Sequence, residues 1–319
     1  MTILKKILSI LVSCFFIFLC LKDIPLNALF NNVSYNINLL LFAILLLFLI
    51  NILKAFRLKI LLKNYQTKKF NFYLRPILFR QFLNTTFFFN IGEIATPVVL
   101  KKYFKCSYFE GLSIIFSERL IDLTAITIIF GVSLLFNDFN LGNQIIYIFF
   151  LFFLFLILIF FFLVNYKNKI FFIPKNIISN FVLGYEYSIK NREILLTSFC
   201  LSFVIWCVFI LIDLLIFRAF EITNSISSLP NIIFLTGVMV LSQFIPAAPA
   251  SIGVFNFFII ETIKAFYYAR GIEYDLSTQI ELTSISVIVL IIYIIPDLIW
   301  GGYVSYKETL DGLKKIKSY

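Results

Sequence analysis

Apolar residues run through this chain with so few breaks that only one solvent is open to it. Of its 319 residues, 61% are hydrophobic, 19% aromatic and 14% charged, and the mean hydropathy is +0.99. A soluble domain cannot hide that much apolar surface, so the chain is expected to be an all-α polytopic membrane protein. Lys+Arg number 27 against Asp+Glu 17. In a soluble protein that excess would suggest nucleic acid. Here the bases are grouped between hydrophobic runs, which reads as membrane topology, and no nucleic-acid partner is expected.

The chemistry available to such a chain is narrow. There is no His, which removes the commonest zinc ligand and the usual proton relay. Cys14, Cys20, Cys106, Cys200 and Cys207 show no metal-ligand spacing and read as small apolar fillers. No metal, no cofactor and no nucleophile motif is expected. Any proton chemistry falls to carboxylates, with Glu93 or Asp122 the first choices if transport is proton-driven.

Hydropathy and charge order the spans. Lys5 and Lys6 precede an uncleaved first span, Ile7 to Leu21, and Ile37 to Leu53 returns to the inside. Lys54, Arg57, Lys59, Lys63, Lys68, Lys69 and Arg75 follow it with no acid among them, the strongest cytoplasmic marker in the sequence. From Pro76 to Phe89 is about 14 residues, roughly 21 Å of helix, and Ile94 to Leu100 is shorter, against a hydrocarbon core of about 30 Å. Neither arm spans, and Lys101, Lys102 and Lys105 would be stranded outside by a simple crossing. The expectation is a hairpin that enters from the cytoplasm and turns at Asn90-Ile91-Gly92.

Leu112 to Phe136 then crosses outward to the unbasic loop Asn137-Asp138-Phe139-Asn140, and Ile145 to Val164 returns. Ile177, Ile178, Phe181, Val182 and Tyr185 have the spacing of an amphipathic helix on the inner leaflet. Ile194 to Phe217 crosses outward. A second interrupted segment, Asn231 to Phe266, is broken by Pro246, Pro249 and Gly253, and Leu282 to Tyr303 leads to a cytoplasmic tail over 306–319. Six full spans and two re-entrant hairpins are expected in one membrane domain, 1–305, as inverted repeats over 1–138 and 143–305. The rival topology turns each hairpin into two crossings, giving eight or more. Both termini are placed in the cytoplasm, and the location is the inner or plasma membrane.

Against this background the ionisable residues stand out. Glu118 and Asp122 are four apart on one helical face, and Arg119 is three before Asp122 and positioned to pair with it. Such groups cost about 2.5 to 3.5 kcal/mol each at a helix centre, which makes them candidates for function. Glu93 sits at the hairpin tip after Gly92, expected to permit the turn, and Arg80 or Arg119 is its candidate partner. Asp213 and Asp297 are further intramembrane carboxylates in this topology, with a structural position close to the inner surface the alternative for Asp297, which follows Pro296. Glu261 either reaches toward Glu93 or faces external water.

Asn-Ile-Gly-Glu at 90 to 93, Ser-Glu-Arg-Leu-Ile-Asp at 117 to 122 and Pro-Ala-Ala-Pro-Ala-Ser-Ile-Gly-Val at 246 to 254 resemble, in order and spacing, the integral membrane region of lysylphosphatidylglycerol synthetases. The resemblance covers nearly the whole chain. It implies a flippase-like membrane domain that handles aminoacylated or related lipids, here without the separate soluble domain that resembles the site of synthesis. The chain departs from the pattern at Thr96-Pro97, where a base is usual, at Phe255-Asn256, where an acid is usual, and at Ala-Ser in the second break. Those departures bear on the substrate.

Two classes of function follow. The first is a lipid translocase, non-enzymatic, with membrane lipids as partners and a polar groove built from Arg80, Asn90, Gly92, Glu93, Glu118, Arg119, Asp122, Pro246, Pro249 and Gly253. The second is a membrane-embedded transferase acting on a polyprenyl-phosphate or phospholipid, with Glu93 or Asp122 as base. A non-catalytic partner of a separate lipid-modifying enzyme is the remaining alternative.

Overall fold

The computed structural model describes residues 3–22, 24–25, 27, 29, 33–88, 90–135, 183–185, 191–224, 226–243, 245 and 247–307. The expected loop at Asn137 to Asn140, the return span Ile145 to Val164, the amphipathic stretch from Ile177 to Val182, Pro246 and the basic tail after Lys307 lie outside them. Among the described residues the protein is an all-α membrane protein. The one extended contact is an isolated antiparallel bridge between Tyr35 and Phe220.

Helix α1 covers Ile3–Leu21 and α2 Ile37–Leu61. Asn36 starts α2 by accepting a hydrogen bond from the Asn38 amide. The shorter α3 (Asn71–Thr86) and α4 (Ile91–Phe104) follow, then α5 (Tyr108–Leu135). Beyond the next described stretch come α6 (Arg192–Ala219), capped by Asn191, the single turn α7 (Glu221–Asn224) and α8 (Leu229–Ser242). A 3-10 turn at Pro249–Ser251 precedes α9 (Val254–Ala269). The last helix, α10 (Leu276–Pro296), is capped by Asp275 and runs through a widened π turn at Asp297–Gly301. Pro296 immediately precedes that turn, where a missing N–H leaves the helical ladder short of a bond.

By length and composition, four described stretches can cross a bilayer: Ile37–Leu61, Arg192–Ala219, Pro249–Ala269 and Leu276–Lys307. At 28 residues α5 is also long enough, but its apolar run is broken by Glu118, Arg119 and Asp122.

The first interrupted segment is an antiparallel helix hairpin. Tyr73 packs at a tilt against Phe104 at one end of the pair, and Gly92 meets Arg80 and Asn84 at the other. Its helices are 16 and 14 residues long, about 24 and 21 Å, so each arm is longer than the sequence suggests yet short of the hydrocarbon thickness of about 30 Å. The second interruption has the same form, with Phe234 near the start of α8 against Phe266 near the end of α9.

One sequence expectation is corrected here. Gly92 does not make the first turn. The left-handed residue is Asn90 (φ 48°, ψ 44°), and Gly92 lies inside α4. A Cβ on Gly92 would stand 2.1 Å from the Arg80 carbonyl oxygen and 2.5 Å from Asn84 Oδ1, so its missing side chain serves the close approach of α4 to α3.

Among the described residues two apolar cores result. One gathers Leu47 and Ile50 of α2 with Ile205 and Ile212 of α6 and inward residues of α8, α9 and α10. The other gathers Leu58 and Leu61 of α2 with Ile77, Leu100, Ile114 and Ile121 of the first hairpin and α5. Helices α2 and α6 run antiparallel through both, pinned at one end by Asn36 N donating to Ala219 O (2.8 Å) and at the other by Lys63 and Glu193 (3.2 Å). Between Ile50 and Leu58, where one core gives way to the other, α2 carries Lys54 and Arg57.

Candidate functional site

At that junction the charges meet. Arg57 has no solvent exposure and donates to Glu118 Oε1 (2.5 Å), to both oxygens of Asp122 (Nη2 to Oδ2, 3.0 Å) and to Ser202 Oγ (2.5 Å). Arg80, also buried, forms a two-pronged pair with Glu118 at 2.8 and 2.9 Å. Glu118 therefore sits between two guanidinium groups and Arg57 between two carboxylates, the fork geometry in which Arg excels. These bonds tie α2, α3, α5 and α6 together.

Glu93 extends the band outward. Arg119 donates to its Oε1, Asn84 Nδ2 stands 3.4 Å from the same oxygen, and Arg80 lies 3.8 Å from Oε2. Arg119 is only 3.9 Å from Asp122, so the pairing expected along the α5 face is secondary to the one with Glu93. Side-chain exposure rises through the band from 0% at Arg57 and Glu118 to 10% at Asp122, 25% at Glu93 and 48% at Arg119. The band thus has a sealed interior and one open end. At that end Glu93 Oε2 and Asn84 Oδ1 are buried acceptors without a donor. Pro97 removes the amide that would have bonded the Glu93 carbonyl in a regular helix.

Asp297, in the π turn after α10, accepts from Thr85 Oγ1 (3.0 Å) and interacts electrostatically with Lys54, which also feels Arg119, Arg80 and Asp122. Gly301 lets that turn close on α3, since a Cβ there would lie 2.7 Å from the Leu78 carbonyl oxygen.

The structure brings together Arg80, Gly92, Glu93, Glu118, Arg119 and Asp122, with Asn90 at the turn. Pro249 and Gly253 sit elsewhere, at a second turn that packs on α1 and α3. Gly253 (φ 85°) closes on the Ser13 carbonyl, and the Ala248 amide donates to Ser13 Oγ (2.8 Å). Glu261 pairs with Lys264 at 3.8 Å and does not join the band. Asn256 caps α9 by accepting from Gly253 N and donates to Ser286.

Arg57, Lys54 and Ser202 escaped the sequence reading. The sequence places the two bases in the cytoplasmic run because its apolar stretch ends at Leu53, eight residues before α2 ends at Leu61. The available signal was the apolar pattern of Ala55, Leu58, Leu61 and Leu62, which continues the helix past both bases. Ser202 carries none.

An all-α membrane protein with two apolar cores joined by a band of paired charges is the class that fold and site define. The chain belongs to the lysylphosphatidylglycerol synthase TM region family, whose model matches residues 6–296. Comparison with curated proteins and with solved structures gave no match.

Proposed function

We propose that this protein moves polar lipids, aminoacylated or otherwise, between the leaflets of the cell's inner membrane, with the open end of the charged band receiving the headgroup. Family membership supports a lipid-related role in the membrane. The observation that carries the reading further is the gradient of burial along the band. Its sealed members, Arg57, Glu118, Arg80 and Asp122, hold helices together. Its open members, Glu93 and Arg119, form a pair that a headgroup can divide.

A zwitterionic or aminoacylated head suits that end. Its phosphate would take the Arg119 guanidinium. Its ammonium would take Glu93, whose Oε2 lacks a donor, as does Asn84 Oδ1. The acyl chains would stay in lipid. In this reading the two helix hairpins are re-entrant, both termini are cytoplasmic, and a separate lipid-modifying enzyme supplies the cargo. A cysteine introduced at Ser107, at the foot of the first hairpin, should then react with an impermeant thiol reagent from the cytoplasmic side. Reaction from the outside alone would remove the first hairpin.

Leaflet exchange by the reconstituted protein, measured for a panel of headgroups, tests the function. Glu93→Gln keeps the shape of the side chain and removes its charge. A charged hydrogen bond contributes about 1.5–3 kcal/mol, so exchange of amine-bearing lipids is expected to fall roughly ten- to hundredfold in a normally folded protein. Wild-type rates in both Glu93→Gln and Arg119→Gln would move the headgroup site away from this pair.

A further inference from the structure

One buried acid takes no part in the charged band. Asp213, six residues before the end of α6 at Ala219, has no solvent exposure and is surrounded by the larger apolar core. Its contacts are with Thr236 of α8 (Oγ1 to Oδ2, 2.6 Å) and Tyr293 of α10 (OH to Oδ1, 2.5 Å). Among the described residues no Lys or Arg stands within ion-pair distance of it.

The surrounding elements bring charges that are engaged elsewhere. From α2 comes Lys54, whose ammonium lies 5.1 Å from the centre of the Phe209 ring and interacts with the band. From α5 come Glu118, Arg119 and Asp122, all paired in the band. Glu221 of α7 is at the exposed end of α6, Glu261 and Lys264 of α9 pair with each other, and Glu281 and Asp297 lie near the two ends of α10. Tyr293 is the titratable group in contact with Asp213.

The hydrogens at Thr236 decide the state of this acid. Its Oγ1 lies 2.6 Å from Asp213 Oδ2 and also 2.8 Å from the Ile232 carbonyl oxygen. A hydroxyl has one hydrogen and cannot align it with both. If it serves the Ile232 carbonyl, as Thr in a helix commonly does, the short contact to Asp213 needs a hydrogen from the carboxyl. The chain of donors then closes without a conflict: Asp213 Oδ2–H to Thr236 Oγ1, Thr236 O–H to Ile232 O, and Tyr293 O–H to Asp213 Oδ1. An unpaired ionised carboxylate in an apolar core would carry a large desolvation penalty, which the neutral acid avoids.

We propose that Asp213 is a proton-binding site, held as a neutral acid between Thr236 and Tyr293, and that loss of this proton couples lipid movement to a proton gradient. On release the Oδ2–H bond breaks and the proton passes to water entering past Tyr293, the half-buried member of the trio. Thr236 must then turn its hydrogen from the Ile232 carbonyl to the carboxylate. That removes the bond tying Thr236 to its own helix, at the level where α8, the first arm of the second hairpin, packs on α6. The same α10 that carries Tyr293 continues to Asp297, which accepts from Thr85 of α3 at the edge of the charged band. In the band Glu93, Glu118 and Asp122 each face a guanidinium, whereas Asp213 faces none among the described residues.

Only the coupling half of this inference rests on the proposed lipid movement. Infrared difference spectra of wild type and Asp213→Asn in lipid, without substrate and at neutral pH, read the acid directly. Asn keeps both hydrogen bonds, its amide donating to Thr236 and its oxygen accepting from Tyr293, so the variant is expected to fold. A protonated-carboxyl band present in wild type and lost in the variant is the expected result, whereas loss of a carboxylate band overturns the proposal. Should Asp213→Asn not fold, Thr236→Val must shift the same band, and an unshifted band counts equally against it. In exchange assays an imposed pH gradient should change the wild-type rate and leave Asp213→Asn unaffected. A variant that keeps the wild-type pH response overturns the coupling. Failure of wild type to move any lipid removes the transport reading and leaves the infrared result standing.

Discussion

Arg57→Ala is expected to destroy the fold more thoroughly than any other single change in the charged band. The substitution leaves Asp122 without its two-pronged partner and Ser202 without its donor, all in a region closed to water. Glu118 keeps Arg80, but Asp122 is left with Arg119 at 3.9 Å. Removing one partner of a buried ion pair typically destabilises by about 3–5 kcal/mol, against a total stability of about 5–15 kcal/mol. Thermal unfolding in detergent, followed by size exclusion, should show loss of the monodisperse species well below the wild-type midpoint. Replacing Arg57 by Met and Asp122 by Leu together should recover much of the loss, since a matched apolar pair needs no counter-charge. A single Arg57→Ala variant that melts with the wild type would mean that the band does not hold these helices together.

Gly92→Ala is the second large effect, and it separates two explanations for a glycine. If glycine were needed for the turn, alanine would fail through backbone conformation. In the structure Gly92 is helical, and the obstacle is the Arg80 carbonyl oxygen 2.1 Å from where a Cβ would sit. Forcing atoms into packed space costs about 1–3 kcal/mol and more where, as here, the neighbour is backbone. The two arms of the hairpin would have to part, carrying Glu93 away from Arg80 and Asn84. The expected outcome is a sharply reduced yield of folded protein. Asn90→Gly, at the left-handed position, is expected to be neutral or slightly stabilising. The opposite ranking, with Asn90→Gly damaging and Gly92→Ala tolerated, would return the glycine to the turn.

Much of this architecture was legible in the order of residues because lipid enforces it. Ionisable groups at 118, 119 and 122 within an apolar run had to find partners, and the break at Asn90 and the second one ending at Gly253 had to interrupt helices. What pairs with what was not legible. Arg57 meets Asp122 across 65 positions, and a base just beyond an apolar run has the same local appearance whether it faces the cytoplasm or turns inward along a helix that continues. The sequence points Gly92 to the turn because its neighbours make one, while the contact that requires it comes from α3. Asp213 was visible as an intramembrane acid, but its two hydroxyl partners lie 23 and 80 positions away.

The composition of the charged band has a consequence for how the protein responds to voltage. Arg57, Arg80 and Arg119 stand against Glu93, Glu118 and Asp122, so the signs cancel. A membrane potential does work of about 2.3 kcal/mol per elementary charge per 100 mV, but none on a displaced unit whose charges sum to nothing. The band can therefore travel with its helices through the electric field unaided and unopposed. In the transport proposed above, electrical sensitivity enters with the cargo and with the proton lost from Asp213, so that once Asp213→Asn removes the proton an anionic lipid still feels the potential and a zwitterionic one does not.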